Sequence, residues 1–310
     1  MLFRQLEYFV AVASEQHFAR AAEACYVSQP ALSASIAKLE RELNVTLINR
    51  GQKYQGLTAE GERLVVWAKR ILAEQEAFKA EAAAVKSGIT GTLRLGAEPT
   101  ASTTLALPVA AFCAAHPSAR VSVDSRVSTT ELGRQLREFE LDVAIAHFAP
   151  EDCAGLQVVP LYEERYIVLA PTDQLMPEGS TMSWADAARL PLALLTPDMR
   201  IRKVIDNAFK QNGVTVRPRV ETDSVASLYA HVGSGAWASI VPHTWLRALP
   251  VVGRTRAVPL IDPDVRAQMS VATNAATPGS VVARAFLTAA RGLALDEFFD
   301  QPMPSEPVLA

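Results

Sequence analysis

Along the first part of the chain, apolar positions recur with helical spacing and then turn briefly to alternation. Residues 3–16 place Leu6, Phe9, Val10 and Ala13 inward, as an amphipathic helix packed behind its neighbours would. Phe18 to Cys25 is a short, Ala-rich stretch that lets another helix approach closely. After a break at Tyr26-Val27-Ser28, Leu32, Ile36, Leu39 and Leu43 fall on one face of a second helix. Ser28 suits its N-cap, and Pro30 suits its first turn, where a missing N–H leaves no bond unmade. The opposite face shows Gln29, Ser33, Ser35 and Lys38, short polar groups able to approach base edges and phosphates. Asn44 reads as the left-handed residue past the helix end. Val45 to Arg50 alternates as a short strand, Gly51 and Gly56 bracket a turn, and Leu57-Thr58 returns. The pattern predicts a helix-turn-helix with a two-stranded wing over residues 1–58, whose Arg50 and Lys53 are placed to reach phosphate or the minor groove.

Thr58 then reads as the N-cap of a long helix, with Glu60 and Glu62 near its positive end. Its seam, Leu64, Ala68, Ile71, Gln75, Phe78, Ala82 and Val85, alternates spacings of four and three, a coiled-coil heptad. About 29 residues at roughly 1.5 Å each make a rod of about 43 Å, stopping at Ser87-Gly88. Nothing near it in sequence offers a matching face. The seam therefore predicts pairing with a second copy over residues 59–90, which would space two readers along one face of DNA. Beyond the linker at residues 88–91 the period changes. Strands are expected at 92–96, 121–123, 141–146, 166–170, 217–220, 238–241 and 266–273. Helices are expected between them, at up to 115, 130–140, 200–211, 225–233 and 281–291. Alternation of this kind predicts a mostly parallel sheet covered by helices. The tail from Asp300 reads as frayed.

At 310 residues the length suits two or three domains. The N-terminus lacks the apolar core of a secretory signal and no apolar run suffices to cross a membrane, so a cytoplasmic protein is expected. The net charge of −3 is a warning for nucleic-acid binding. Within residues 1–60, Arg4, Arg20, Lys38, Arg41, Arg50 and Lys53 are matched one for one by Glu7, Glu15, Glu23, Glu40, Glu42 and Glu60, leaving the DNA-binding region formally neutral. Specific binding then needs basic groups clustered on one face and two modules acting together. Cys25, Cys113 and Cys153 show no metal-ligand spacing. Cys25 and Cys113 read as buried small hydrophobes, whereas Cys153 lies in a polar loop.

The spacing of AARAAEAC-like residues before VSQPALS, the helix end KLEREL and the run LINRGQKYQGLTAEGERL together resemble a LysR-type transcriptional regulator. GTLRLGAEPT, FCAAHP, ELDVAIAH, YIVLAPTDQL and SGAWASIVPH resemble landmarks of that family's effector domain. The resemblance implies a winged helix-turn-helix, a linker helix, and an α/β effector-binding domain over 91–310. That domain would have two Rossmann-like lobes resembling type 2 periplasmic binding proteins: lobe I at 91–160 and 265–300, lobe II at 161–264, joined by extended segments near 157–161 and 258–264. It also implies that Gln29, Ser33, Lys38 and Arg50 face DNA. The chain departs at Cys25, where the family usually has Leu, and at Ala34 and Ser35, where it often carries Arg and Gln.

Ligands of open α/β sheets sit at the carboxyl ends of strands. Here those places are Thr100-Ala101-Ser102, Ser128-Thr129-Thr130, Ala146-His147, Leu195-Thr196-Pro197 and Thr222-Asp223-Ser224. Hydroxyls dominate, which suits a small polar or anionic effector, although each residue also suits an ordinary N-cap. Arg200 and Arg202 would neutralise a carboxylate or lie on the surface. An enzyme is disfavoured: no G-x-S-x-G elbow surrounds any serine, no glycine-rich phosphate loop is present, and His116, His231 and His243 lack metal spacing. No cofactor is implied. The expected partners are double-stranded promoter DNA, the effector, further copies as a homodimer or a dimer of dimers, and RNA polymerase. The rival readings are a redox switch at Cys153 and a ligand-independent architectural DNA-binding protein.

Overall fold

The computed structural model describes residues 1–50, 54–172, 181–249, 255–276 and 279–301, and the chain divides into two compact units. The first is built on Met1–Thr90. It contains α1 (Phe3–Glu15), α2 (Phe18–Ala24), α3 (Gln29–Leu43), the antiparallel pair β1 (Ile48–Arg50) and β2 (Tyr54–Leu57), and α4 (Ala59–Ser87). The local signals explain its boundaries. Ser28 accepts from the Ala31 N–H at the start of α3, and Asn44 ends that helix at φ 54°. The Thr58 hydroxyl accepts from the Gly61 N–H at 2.9 Å and donates to the Thr46 carbonyl at 2.7 Å, fixing the turn into α4. Leu6, Phe9, Val12, Ala21, Leu32, Ile36, Leu39, Leu47 and Ile48 form the core. The buried face of α1 centres on Val12, with Val10 and Ala13 only half-buried. Leu43 also departs from expectation, exposed at the end of α3.

The expectation that α4 finds no matching face in its own chain is corrected. Ala68 is buried in the core of this unit, and Leu64 and Ile71 pack against it. The N-terminal half of the seam therefore faces inward, against elements including α1. Only the far part stands free: Phe78 is 77% and Val85 85% exposed, and Ala82 is exposed too. Phe3, Trp67, Ile71 and Phe78 line a concavity of about 840 Å³ on this helix.

The second unit begins with β3 (Gly91–Ala97), which pairs in parallel with β4 (Ala119–Asp124) and β5 (Val143–Ala146); α5 (Ala106–Ala115) and α6 (Thr129–Arg137) connect them. Next come β6 (Leu156–Pro171), β7 (Met182–Ser183), α7 (Trp184–Ala187), β8 (Ala193–Leu195), α8 (Arg200–Gln211), β9 (Val220–Thr222) and α9 (Val225–Gly233). The unit continues with β10 (Ser239–Pro242), α10 (Trp245–Ala248), β11 (Thr255–Ile261), β12 (Arg266–Asn274), α11 (Val281–Arg291) and α12 (Leu295–Asp300). The two segments expected near 157–161 and 166–170 are one 16-residue strand, β6. Its first half pairs antiparallel with β12, its second half with β10 and β11. The sheet is therefore mixed rather than mostly parallel, because the crossing strands run against their neighbours. Apolar side chains gather in separate clusters. One surrounds Leu132, Leu136, Ala144 and Ala272, and another Val168, Trp184, Phe209 and Trp245.

Candidate functional site

The N-terminal unit offers a helix with one buried and one polar face. Ser28, Gln29, Pro30 and Lys38 are exposed, and Ser33 and Ser35 half-buried, opposite Leu32, Ile36 and Leu39. Glu40 ties this helix to the wing, its carboxylate accepting from the backbone N–H groups of Leu47 at 2.9 Å and Ile48 at 3.2 Å. Phe18 meets Tyr54 edge-on, joining α2 to β2. Arg50 ends β1, and Lys53 lies outside the described residues. Formal neutrality conceals a segregation of charge. Glu40 serves backbone amides, Glu42 meets the N-terminal amine at 2.5 Å and Glu15 pairs with Arg20. Lys38 and Arg41 meanwhile stand exposed on α3, where basic groups suit phosphate contacts.

In the second unit the structure gathers Thr100, Thr129 and His147 around a group that sequence reasoning passed over, Glu98. This residue directly follows β3, and its backbone N–H donates to the Ile145 carbonyl. Its Oε1 accepts from the Thr100 hydroxyl at 2.7 Å and lies 2.5 Å from His147 Nδ1. Its Oε2 accepts from the Thr129 hydroxyl and from the His147 backbone N–H, each at 3.2 Å. The other imidazole nitrogen, Nε2, lies 3.1 Å from Glu164 Oε2 on β6, and Glu164 Oε1 accepts from the Thr244 hydroxyl at 3.1 Å. All of these side chains are buried; Glu98, His147 and Glu164 are no more than 4% exposed.

A carboxylate on each side of the ring makes both nitrogens donors. Burial opposes a charged imidazole, but the negative charge of Glu98 and the bonds to Glu164 and Glu98 outweigh it, raising His147 to about 10. Burial likewise opposes ionisation of Glu98, yet the His147 charge and the surrounding donors bring it down to about 2. The result is a carboxylate–imidazolium–carboxylate row running from the end of β3 through the end of β5 to β6, with two threonine hydroxyls on Glu98 and one on Glu164. Breaking such a row is strongly destabilising. Its chemistry is charge storage and orientation.

The remaining sequence candidates lie as follows. Ala101 is buried and donates its N–H to the Glu98 carbonyl. Ser102 is exposed and donates to the Pro99 carbonyl, while Ser128 is an N-cap accepting from the Glu131 N–H. Thr196 and Thr222 are brought together where β8 meets β9, and the Thr196 N–H donates to the Thr222 carbonyl. The Thr196 Oγ1 is buried and finds no partner among the described residues. Thr222 accepts from the Ser224 N–H, and Ser224 caps α9. Arg202 is corrected: it is buried rather than free for an effector. Its guanidinium donates to the Leu195 carbonyl, to Glu221 and to Asp206, so two carboxylates already match its charge. Arg200 is exposed.

All three cysteines are free and half-buried, so Cys25 and Cys113 are less enclosed than expected. The Cys153 thiol donates to the Ala149 carbonyl at 3.2 Å. Burial and the nearby Glu7 push the Cys25 thiol up, away from the reactive thiolate. Among the described residues no cluster of His, Cys, Asp and Glu is arranged to hold a metal ion, and no helix is long and apolar enough to cross a membrane.

Two family profiles match this arrangement. One, a bacterial regulatory helix-turn-helix protein of the lysR family, covers residues 3–62; the other, the LysR substrate binding domain, covers residues 86–294. The chain belongs to the LysR family. The SDS degradation transcriptional activation protein of a Pseudomonas species is 32% identical over 301 residues, covering 95% of each chain. A probable hydrogen peroxide-inducible genes activator of Mycobacterium xenopi is 37% identical over 166 residues, 54% of this chain and 87% of that one. A solved full-length OxyR variant from Pseudomonas aeruginosa superposes with a TM-score of 0.76 at 26% identity, covering 98% of this chain and 99% of that one. The LysR chain described here is accordingly a DNA-binding transcriptional regulator with an N-terminal helix-turn-helix and an α/β effector-binding domain. Within that domain, sequence reasoning missed Glu98, Glu164 and Thr244. The available signal was a glutamate directly after the strand Thr92–Ala97, where a charge entering the core demands a partner; Glu164, set between Glu163 and Arg165, carried no such signal.

Proposed function

We propose that this LysR regulator binds pseudo-palindromic promoter DNA as a homodimer, assembling further into a dimer of dimers, and that a small polar effector alters the spacing of its readers. In this reading Gln29 and Ser33 contact base edges, Ser28, Ser35, Lys38, Arg50 and Lys53 hold the backbone, and Pro30 shapes the entry turn. Phe78, Ala82 and Val85 on the free part of α4, with Trp67 and Phe3 beside them, meet the second copy. The effector lies between two lobes joined by β6 and by β11 with β12, at the strand ends that carry Thr100 and Thr129 in one lobe and Thr196 and Thr222 in the other. Contact with RNA polymerase and residence in the cytoplasm follow from action at a promoter.

The observation that carries the effector reading is the buried row from Thr100 and Thr129 through Glu98, His147 and Glu164 to Thr244, together with the Thr196 hydroxyl, which has no partner among the described residues. A ligand biases the lobes only by binding one arrangement better than the other; a tenfold preference supplies about 1.4 kcal/mol of coupling. The Thr100→Val/Thr196→Val variant is expected to lose the response to the inducing condition in a promoter reporter while binding DNA normally without effector. Normal induction would end this reading. The rival is a thiol switch, favoured by the similarity to a probable hydrogen peroxide-inducible genes activator and by the half-buried Cys153. There the Cys153→Ser variant loses the response and the threonine variant keeps it.

A further inference from the structure

A hydroxyl has one proton to give. The Thr100 hydroxyl donates to Glu98 Oε1 and the Thr129 hydroxyl to Glu98 Oε2; on the other side of the imidazole, the Thr244 hydroxyl donates to Glu164. Each threonine oxygen is then left with lone pairs alone. Glu98 itself has four donors around it, counting both contacts from His147. Among the described residues Glu164 has His147 and Thr244 alone, so acceptor capacity remains on its carboxylate. The row of two carboxylates about one imidazolium has a formal charge of −1.

A second feature lies on the same strand. Tyr162, Glu164 and Tyr166 occupy alternate positions of β6 and so share one face. Tyr162 is satisfied by Thr104 at 2.5 Å. Tyr166, 3% exposed, has a hydroxyl with no partner among the described residues. Its phenol feels the negative charges of Glu164 and Glu98 and the opposing charge of Arg200. A buried hydroxyl is costly to leave unbonded, and this one stands on the Glu164 side of the row.

Building on the effector reading above, we propose that the effector site selects a ligand presenting N–H or O–H donors, an amidinium, ammonium, amide or polyol, and rejects carboxylates. The threonines that would greet a carboxylate as donors have already turned their protons to Glu98. A carboxylate would meet lone pairs and an excess negative charge, whereas an N–H group meets acceptors on Thr100, Thr129 and Glu164. The Tyr166 and Thr196 hydroxyls, both without a partner among the described residues, supply donors for a polar tail.

The test uses the full chain and two planar pairs of like shape, acetamidine against acetate and benzamidine against benzoate, each titrated at fixed ionic strength by calorimetry. The amidines are expected to bind at least about tenfold more tightly than the carboxylates. Thr100→Val should weaken amidine binding about five- to tenfold. Glu98→Gln, which replaces one of the two acceptor oxygens, frees one threonine proton and removes a negative charge, should shift the preference towards the carboxylates. Carboxylates binding more tightly than amidines, with that binding lost in Thr100→Val, would overturn the donor rule while leaving the effector site in place. An amidine preference untouched by Thr100→Val, or no binding by either member at millimolar concentration, would also overturn the proposal; the reporter response of Thr100→Val/Thr196→Val then decides the effector reading separately.

Discussion

His147→Leu is the sharpest perturbation of the effector domain. The substitution puts an apolar side chain of similar size in place of the ring and removes the cation between Glu98 and Glu164, both nearly inaccessible to water. Two buried carboxylates are left facing each other, and Glu98 Oε1 keeps only the Thr100 hydroxyl. Loss of one member of a buried ionic group costs about 3–5 kcal/mol. For a unit of this size each kcal/mol lowers Tm by about 2–4 °C, so a drop of about 6–20 °C is expected by scanning calorimetry near neutral pH. The pH dependence gives an independent reading. Folding raises His147 from 6.5 to about 10, so its stabilisation is complete below the unfolded value and disappears as pH rises towards 10. Folding lowers Glu98 from 4.5 to about 2, so its stabilisation is complete above 4.5 and disappears as pH falls towards 2. The row therefore stabilises most between about pH 4.5 and 6.5, and between pH 7 and 9 the wild type should lose up to about 1.4 kcal/mol per pH unit from His147. His147→Leu should lack that slope. A variant within about 1 kcal/mol of wild type, with the same slope, would refute the ionic row as a stabilising element.

Three further outcomes follow from the first unit. Phe78→Glu places a charge on the free part of α4, where Phe78 is 77% exposed in the single chain. It should abolish the dimer in sedimentation velocity and weaken operator binding in parallel without unfolding the chain; an intact dimer would remove α4 from the interface. Ile71→Glu should do the same but also lower Tm, because Ile71 packs on its own core. Gly61→Ala builds a Cβ 2.0 Å from the Leu47 carbonyl oxygen, a backbone atom that has no rotamer to yield. It should cost about 1–3 kcal/mol and reduce DNA affinity through the displaced wing; a melting curve matching wild type would show that the α4–wing contact is looser than described.

Local signals made the reader legible. Ser28, Asn44 and Thr58 act on backbone groups within a few residues, so their roles follow from short spacings alone. Contacts distant in sequence were less legible. The seam of α4 obeys a heptad, yet its first half faces the unit's own core, and periodicity cannot say whose apolar face answers it. β6 reads as two segments because its burial changes character along its length, and only pairing with β12, then β10 and β11, shows one strand. Arg202 lies on an amphipathic helix where an exposed charge is the ordinary expectation; Glu221, on a different strand, draws it inward. Thr100, Thr129 and His147 were chosen for their places at strand ends. Glu98, which joins them, was overlooked because its three side-chain partners come from separate segments of the chain.

The central claim is that α3 reads DNA sequence. Gln29 stands exposed in the first turn of that helix, and a bidentate amide contact to a base is worth about 1–3 kcal/mol of discrimination. The direct measurement is fluorescence anisotropy of the full-length protein on a promoter fragment selected from random-sequence DNA and on a scrambled duplex, across a salt series. Gln29→Ala should reduce the preference for the selected fragment by about 5- to 150-fold while leaving affinity for the scrambled duplex and its salt slope intact. Arg50→Ala, by contrast, should weaken both duplexes about equally and reduce the slope by roughly one. Equal loss of selected and scrambled binding in Gln29→Ala would contradict the assignment of α3 as the sequence reader.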